Sequence, residues 1–223
     1  MMASQGGEAA TGRELWPGIA GIVSGGLLIT GVLLTWRTPD TDGKDAIREV
    51  VSFYSKESNQ NWSEAVALIL LASAMLFLFF LAALTRAAGS RGTLVIVGGT
   101  MFAVSLTVAA ISGNIYAITA GYSDVFPVAP ATALIAILLL DVAYGALIGA
   151  MAGAAVMLFA VWRAARTTPG AVPQWLAWAG FVVAVLSLAG PVSAWLTPLL
   201  LAVWMVAAGA VMVARGTVAK AAA

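Results

Sequence analysis

Six stretches of about 20 apolar residues follow one another along this chain, at roughly 17–36, 63–85, 93–118, 131–162, 174–192 and 196–214. A helix of that length is about 30 Å long and matches the hydrocarbon core of a bilayer. Lipid offers the backbone no hydrogen bonds, so each stretch must satisfy its own, as a helix does. The expected fold class is therefore all-α, a polytopic membrane bundle of six transmembrane helices with a short amphipathic external helix. Composition agrees: with 61% hydrophobic residues, 9% charged residues and mean hydropathy +0.98, the chain is more apolar than a soluble core of 223 residues requires.

Charge placement orients the bundle. Arg13, Arg86, Arg91, Arg163, Arg166, Arg215 and Lys220 fall on one side of the six spans. The connection 37–62 carries Arg37, Lys44, Arg48 and Lys56, offset by Asp40, Asp42, Asp45, Glu49 and Glu57. Short basic loops stay cytoplasmic, which puts both termini inside a multi-pass protein of the cell membrane. The expected organisation is a cytoplasmic tail over 1–15, a six-helix transmembrane domain over 16–215 with an external loop at 37–62, and a second cytoplasmic tail over 216–223. The first tail lacks a basic leader and no small-residue cleavage site follows it, so the first span reads as a retained helix. Trp16, Trp36, Trp62, Trp162, Trp175 and Trp195 stand at span ends, where interfacial aromatic residues collect. Trp204 is mid-span and has no such explanation.

Within the external loop, Ala46, Ile47, Val50, Val51 and Tyr54 repeat at helical spacing, with charged residues largely opposite. This predicts a short amphipathic helix capped by Thr41 or Asp42, lying on the outer surface or over the bundle mouth. Asp40, Asp42 and Asp45 resemble a fragment of a calcium loop, but the remaining ligands are missing and turn chemistry explains them. Gly21/Gly25 and Gly145/Gly149/Gly153 have the small-xxx-small spacing that lets helix backbones approach, here for packing within the bundle.

The chain has no Cys and no His. Disulfides, thiol nucleophiles, imidazole or thiolate metal sites and imidazole- or thiolate-ligated haem are excluded, and neither a metal nor a cofactor is expected. Acid–base chemistry falls to Asp, Glu, Tyr or Lys. A net charge of +1 gives no electrostatic case for nucleic acid.

Asp141 is the one ionisable acid deep in the apolar run from Leu134 to Val161. A carboxylate there is costly unless neutral, paired or wet, which makes it a functional candidate. Glu64 lies 22 residues from Arg86, Asn114 lies 23 from Arg91, and Asp141 lies 22 from Arg163. At about 1.5 Å per residue the three reach one layer near the outer boundary of the hydrocarbon. Tyr144 follows Asp141 by one turn, and Tyr116 is near Asn114 in height. Counted from Pro130, however, Asp141 lies about 16 Å down the fourth span; a bend at Gly145 would reconcile the two counts. Asp141 and Glu64 are the candidate catalytic carboxylates, and Asn114, Tyr116, Tyr144 and Trp62 the candidate substrate-binding residues. The alternative is that Asp141 ties the bundle together by bonding Asn114 or Tyr116.

Leu76–Leu84 and Ala154–Val161 offer no polar group, so a polar path for ions or sugars is not expected. A polar upper layer over an apolar body suits a hydrophobic small molecule or a lipid-like ligand, with membrane lipids as the surrounding partners.

Several segments resemble a group of six-span membrane proteins of actinobacteria, the DUF4386 type. They are the opening Trp16-Pro-Gly-Ile-Ala-Gly, Phe53-Tyr54 before a Leu/Phe span, Leu140-Asp-Val-Ala-Tyr144, and Pro173-Gln-Trp-Leu-Ala-Trp178. The resemblance covers nearly the whole chain and implies an architecture but no activity. In size, span count and buried acid the chain also resembles the small membrane-bound terpene cyclases of bacteria. That resemblance implies an isoprenoid cyclase of natural-product biosynthesis; it carries over no catalytic residue. The chemistry is compatible: a buried carboxylic acid stays protonated and can protonate an olefin, and aromatic faces stabilise the cation. A non-enzymatic membrane protein that binds lipid or a partner helix, with Asp141 structural, is the other expectation.

Overall fold

The computed structural model describes residues 5–41, 43–123, 127–167 and 172–221, and among these the only regular structure is helical. Eight α-helices occur: α1 Gln5–Thr35, α2 Ala46–Tyr54, α3 Glu57–Ala87, α4 Gly92–Ser112, α5 Ile115–Tyr122, α6 Pro130–Thr167, α7 Gln174–Ser187 and α8 Thr197–Ala221. Five helical stretches are long and apolar enough to cross a membrane: Leu15–Thr35, Glu57–Ala87, Gly89–Tyr122, Pro130–Thr167 and Thr197–Arg215. The chain is thus a multi-pass helical membrane protein by length and composition.

Six helices close a ring. α8 lies against α1, α1 against α3, α3 against α4, α4 against α6, α6 against α7, and α7 against α8. The interior is filled rather than open. Phe77, Phe80, Phe102, Met157, Leu158 and Trp204 are buried there, with Phe77 and Phe102 edge to face at 4.8 Å.

Lipid supplies no hydrophobic force between helices, so close backbone approach has to hold them. Glycine permits it at the two most extensive contacts. A Cβ on Gly98 of α4 would stand 2.5 Å from the Met157 amide nitrogen, and one on Gly153 of α6 would stand 2.6 Å from the Phe102 nitrogen. Across the ring, a Cβ on Gly25 of α1 would meet the Ala202 carbonyl at 2.7 Å, and one on Gly209 of α8 would meet the Gly18 carbonyl at 2.5 Å. Packing within the bundle is therefore the use of Gly25 and Gly153. Gly145 differs: a Cβ there would meet nothing within 4 Å.

Polar side chains tie the remaining seams. Ser24 and Ser73 are fully buried and reciprocal: each hydroxyl donates to the other's backbone carbonyl, at 2.8 and 2.9 Å. The mid-span Trp204 is explained by a hydrogen bond from its indole N–H to the Leu176 carbonyl, 2.9 Å away, which joins α8 to α7.

Three boundaries depart from the sequence reading. The third apolar stretch is not one helix; it breaks at Gly113 and Asn114 into α4 and α5. α6 runs unbroken through Gly145 for 38 residues, about 57 Å, so no helix break there reconciles the two depth counts. α7 ends at Ser187 after 14 residues, about 21 Å, and a tight turn at Gly190–Val192 follows. Gly190 occupies the left-handed region there, with φ of 62°.

The glycine contacts make a direct prediction. Gly98→Ala and Gly153→Ala should each lower stability in detergent by about 1–3 kcal/mol, because the added methyl meets backbone that cannot move aside. Gly145→Ala should leave stability unchanged or raise it by up to about 1 kcal/mol, since alanine favours the helix and the space is free. Thermal unfolding of the three variants checks this; equal losses at all three positions would contradict it.

Candidate functional site

The break between α4 and α5 builds the principal candidate site. α4 ends with Gly113, whose amide donates to the Ala109 carbonyl, 3.0 Å away. A larger residue at Gly113 would press on that carbonyl and on the Cβ of Ala143 in α6. Asn114 then leaves helical geometry, with φ of −127°, and its side-chain amide donates back to the Ala110 carbonyl at 2.8 Å. A helix end in a buried setting leaves carbonyls without partners. Asn114 satisfies one of them, so its amide serves the backbone of its own chain.

Against this break lies a cavity of about 200 Å³, bounded by α1, α3, α4 and α6. Val32, Leu70, Leu106, Ala109, Leu140, Ala143 and Leu147 form its apolar wall; Thr35, Thr38, Asn114 and Tyr144 are its polar members. The polar groups are largely committed. Thr35 donates to the Val32 carbonyl at 2.7 Å, and the Tyr144 hydroxyl donates to the Pro191 carbonyl at 3.1 Å. No carboxylate and no basic side chain lines it. The space suits an apolar chain and contains no acid strong enough to protonate an olefin.

Asp141 does not line this cavity. It is exposed, on a face of α6 shared with Leu134, Leu138 and Gly145; its neighbours Leu140 and Tyr144 do line the cavity, although Tyr144 is also exposed. This corrects the expectation of a buried acid in one cavity with Asn114 and Glu64. The physical reason is the short α7. Helix α7 covers the C-terminal part of α6, where Trp162 meets Trp178 at 5.5 Å and Phe181 at 4.8 Å. It stops before the N-terminal part, and the Tyr144–Pro191 bond marks the level of the turn that ends it. Asp141 is one turn beyond that level, with nothing to cover it. The most apolar stretch of α6 accordingly buries 17% of its residues, against 39–44% in the other four long helices.

Nor does Asp141 bond Asn114 or Tyr116, the alternative role expected of it. Asn114 is turned to Ala110, and Tyr116, buried in α5, pairs its hydroxyl with Thr132 Oγ1 at 3.0 Å. Thr132 in turn donates to Pro127 and Ala129 carbonyls at the start of α6. Tyr116 is thereby a brace for the α6 start.

Glu64 belongs to a second cavity, of about 380 Å³, with Glu57, Gln60, Asn61 and Tyr122. The Tyr122 hydroxyl donates to Glu64 Oε2 at 3.3 Å. This site lies between the start of α3 and α5, so the two candidate carboxylates are on different faces of the bundle. Trp62 is half-buried; its indole N–H donates to the Leu34 carbonyl at 3.4 Å, and the Arg37 guanidinium stacks 5.1 Å from its ring. It lines neither cavity.

The amphipathic helix is present as α2. Ala46, Val50 and Tyr54 are buried and Ile47 is exposed. Val50 and Tyr54 pack with Tyr116, Ala117, Ala133 and Ala136 in a second small core, over α5 and the beginning of α6. The helix starts one residue after Asp45 rather than at Thr41; Asp42, the other expected cap, lies outside the described residues. Asp45 makes no side-chain cap and instead pairs with exposed Arg48 at 3.3 Å. At its other end α2 is held by two side chains that the sequence reading passed over. Asn59 Nδ2 donates to the Phe53 carbonyl at 2.8 Å, and Gln60 Nε2 to the Tyr54 carbonyl at 2.7 Å. An Asn-Gln pair just after a helix end was the available signal.

Among the described residues, no group of three or more Asp and Glu side chains could hold a metal ion. No protein-family model matches the chain, and no curated protein or solved structure matches it either, so these comparisons bear on neither resemblance.

Burial of Tyr54, followed by the adjacent Tyr116, pushes its phenol up to about 12 from an ordinary value of 10.0. A phenol that ionises less readily when folded keeps its stabilising contribution below about pH 10 and loses it as pH climbs to about 12. Stability should therefore fall across that window in the wild type and fall less in Tyr54→Phe, which cannot ionise. Melting temperatures at about pH 9 and about pH 12 test this; an equal fall in both proteins would show that Tyr54 is not the group responsible.

Proposed function

We propose that the protein is a six-span integral membrane protein of the cell membrane that binds a lipid-like apolar chain in the cavity at the α4–α5 break. In this reading α7 is also a span, the fifth of six along the chain, both termini are cytoplasmic, and α2 is external. The observation that carries the binding role is the cavity itself: an apolar wall, four polar residues at its edge and no ionised group. Small-molecule sites of this kind are apolar with a few polar groups that orient the ligand. At about 200 Å³ the space takes a segment of a chain rather than a whole lipid, with the rest of the chain running out along the bundle.

The exposed position of Asp141 fits this reading. Counting along α6 from Arg163 puts it about 33 Å from the inner face, at the outer boundary of the hydrocarbon. There a carboxylate is within reach of headgroups and water and costs little to place. Tyr144, Thr35 and Thr38 mark the same level, beside the interfacial Trp36.

A photoactivatable fatty acid and a photoactivatable geranylgeraniol, each added to the protein in membranes, test the binding site. Crosslinks should concentrate on Leu140, Ala143 and Leu147, and Ala143→Leu, which fills the cavity, should remove them. Crosslinks spread evenly over the exposed faces of α4 and α6 in both proteins would end the proposal.

One observation favours the isoprenoid cyclase as a second reading: Leu140 and Tyr144, on either side of Asp141, both face the cavity. A rotation of about 100° in the outer part of α6 would turn Asp141 inward as the proton donor. Glu64, in another cavity, would have no part in that step. Loss of a general acid typically costs about 10²–10⁴-fold in rate. A host supplying farnesylated and geranylgeranylated acceptors should then give cyclised product with the wild type and none with Asp141→Asn. Absence of product from the wild type removes this reading, and wild-type turnover by Asp141→Asn removes Asp141 from it.

A further inference from the structure

The inner end of α6 carries a site of a different kind. Trp162, Arg163, Arg166 and Thr167 bound a cavity of about 430 Å³. Both arginines are exposed, one turn apart on the same helix, and no carboxylate among the described residues pairs with either. The Arg166 guanidinium rests 5.1 Å from the centre of the Trp162 ring. That contact fixes one cation at the cavity and leaves its outward N–H groups free to bond. Trp162 is itself wedged against Trp178 and Phe181, and its indole N–H is buried without an acceptor. A buried donor left unpaired costs free energy that a nearby acceptor oxygen would relieve.

These features select an amphiphile. Two guanidiniums present forked donors that match phosphate oxygens. The carbonyl end of α6 repels anions, so attraction at this place has to come from the arginines. Trp178 and Phe181 continue an aromatic wall from the cavity along α7, and Trp178 is exposed on it. A soluble phosphate has no use for that wall, whereas an acyl chain does. We propose that the Trp162–Arg163–Arg166 cavity binds the phosphate of an anionic phospholipid, with the acyl chains lying along the Trp178–Phe181 face of α7. Basic pockets between helices on the cytoplasmic side bind such headgroups. The site is independent of the cavity at the α4–α5 break, and its failure would leave that reading untouched.

Native mass spectrometry of the full chain tests the proposal with phosphatidylglycerol, phosphatidylcholine and soluble glycerol phosphate as probes. The wild type should hold one phosphatidylglycerol at least about tenfold more tightly than phosphatidylcholine, as two basic residues near an anionic headgroup imply. Arg163→Gln with Arg166→Gln should abolish the preference, while Arg86→Gln, outside the cavity, should keep it. Melting in phosphatidylcholine shows whether the double variant is folded. Arg163→Lys with Arg166→Lys, which keeps the charges but not the forked donors, should retain only part of the preference. A double glutamine variant that is folded and keeps the full preference overturns the proposal. So does displacement of phosphatidylglycerol by glycerol phosphate at comparable concentration, which would make the ligand a soluble anion.

Discussion

Everything else in the bundle depends on how closely two pairs of helix backbones approach. Between α4 and α6, and between α1 and α8, glycine removes the side chain that would hold the backbones apart. In lipid such contacts replace the hydrophobic force that assembles soluble cores, because lipid tails solvate apolar side chains as well as a core does. With those two seams fixed, the ring closes through α3 and α7, and the interior has room only for interlocking Phe, Leu, Met and Trp. Around that filled interior, the cavities described above lie at the ends of the helices or at the α4–α5 break.

The short α7 has the largest consequence for function. A longer helix in its place would have extended over the N-terminal part of α6, where Asp141 lies. Because α7 ends at Ser187, Asp141 is left on an open face and the adjacent cavity holds no acid. A single helix length thus separates a binding site from a site for acid chemistry.

Periodicity and hydropathy made the helical membrane bundle legible, together with α2 and its buried Ala46, Val50 and Tyr54. The close-packing role of Gly25 and Gly153 was legible as well. Residue counting from Arg86, Arg91 and Arg163 placed Glu64, Asn114 and Asp141 in one layer with Tyr144 a turn below; of these Asn114 and Tyr144 meet at one cavity, and Glu64 and Asp141 do not line it. It could not give the direction in which each residue faces. Asp141 and Tyr144 are one turn apart and both exposed, yet Tyr144 lines the cavity and bonds the Pro191 carbonyl while Asp141 does not line it. The turn that Tyr144 meets is set by where α7 stops, and the apolar run 174–192 conceals the stop because Leu188 and Ala189 continue it beyond the helix. Asn114 has a second role that the sequence left open. An Asn in an apolar run signals a ligand contact or a helix end equally well, and its bond to Ala110 identifies the second. Tyr116 and Trp62 likewise spend their polar atoms on internal bonds.

An experimental structure in lipid nanodiscs, at a resolution that shows bound acyl chains, tests the central claim most directly. The account predicts an elongated apolar density between Leu70, Leu106, Ala143 and Leu147, with Asp141 turned away from it toward the outer membrane surface. A structure with that cavity collapsed, or with the Asp141 carboxyl inside it beside Asn114, would contradict the account.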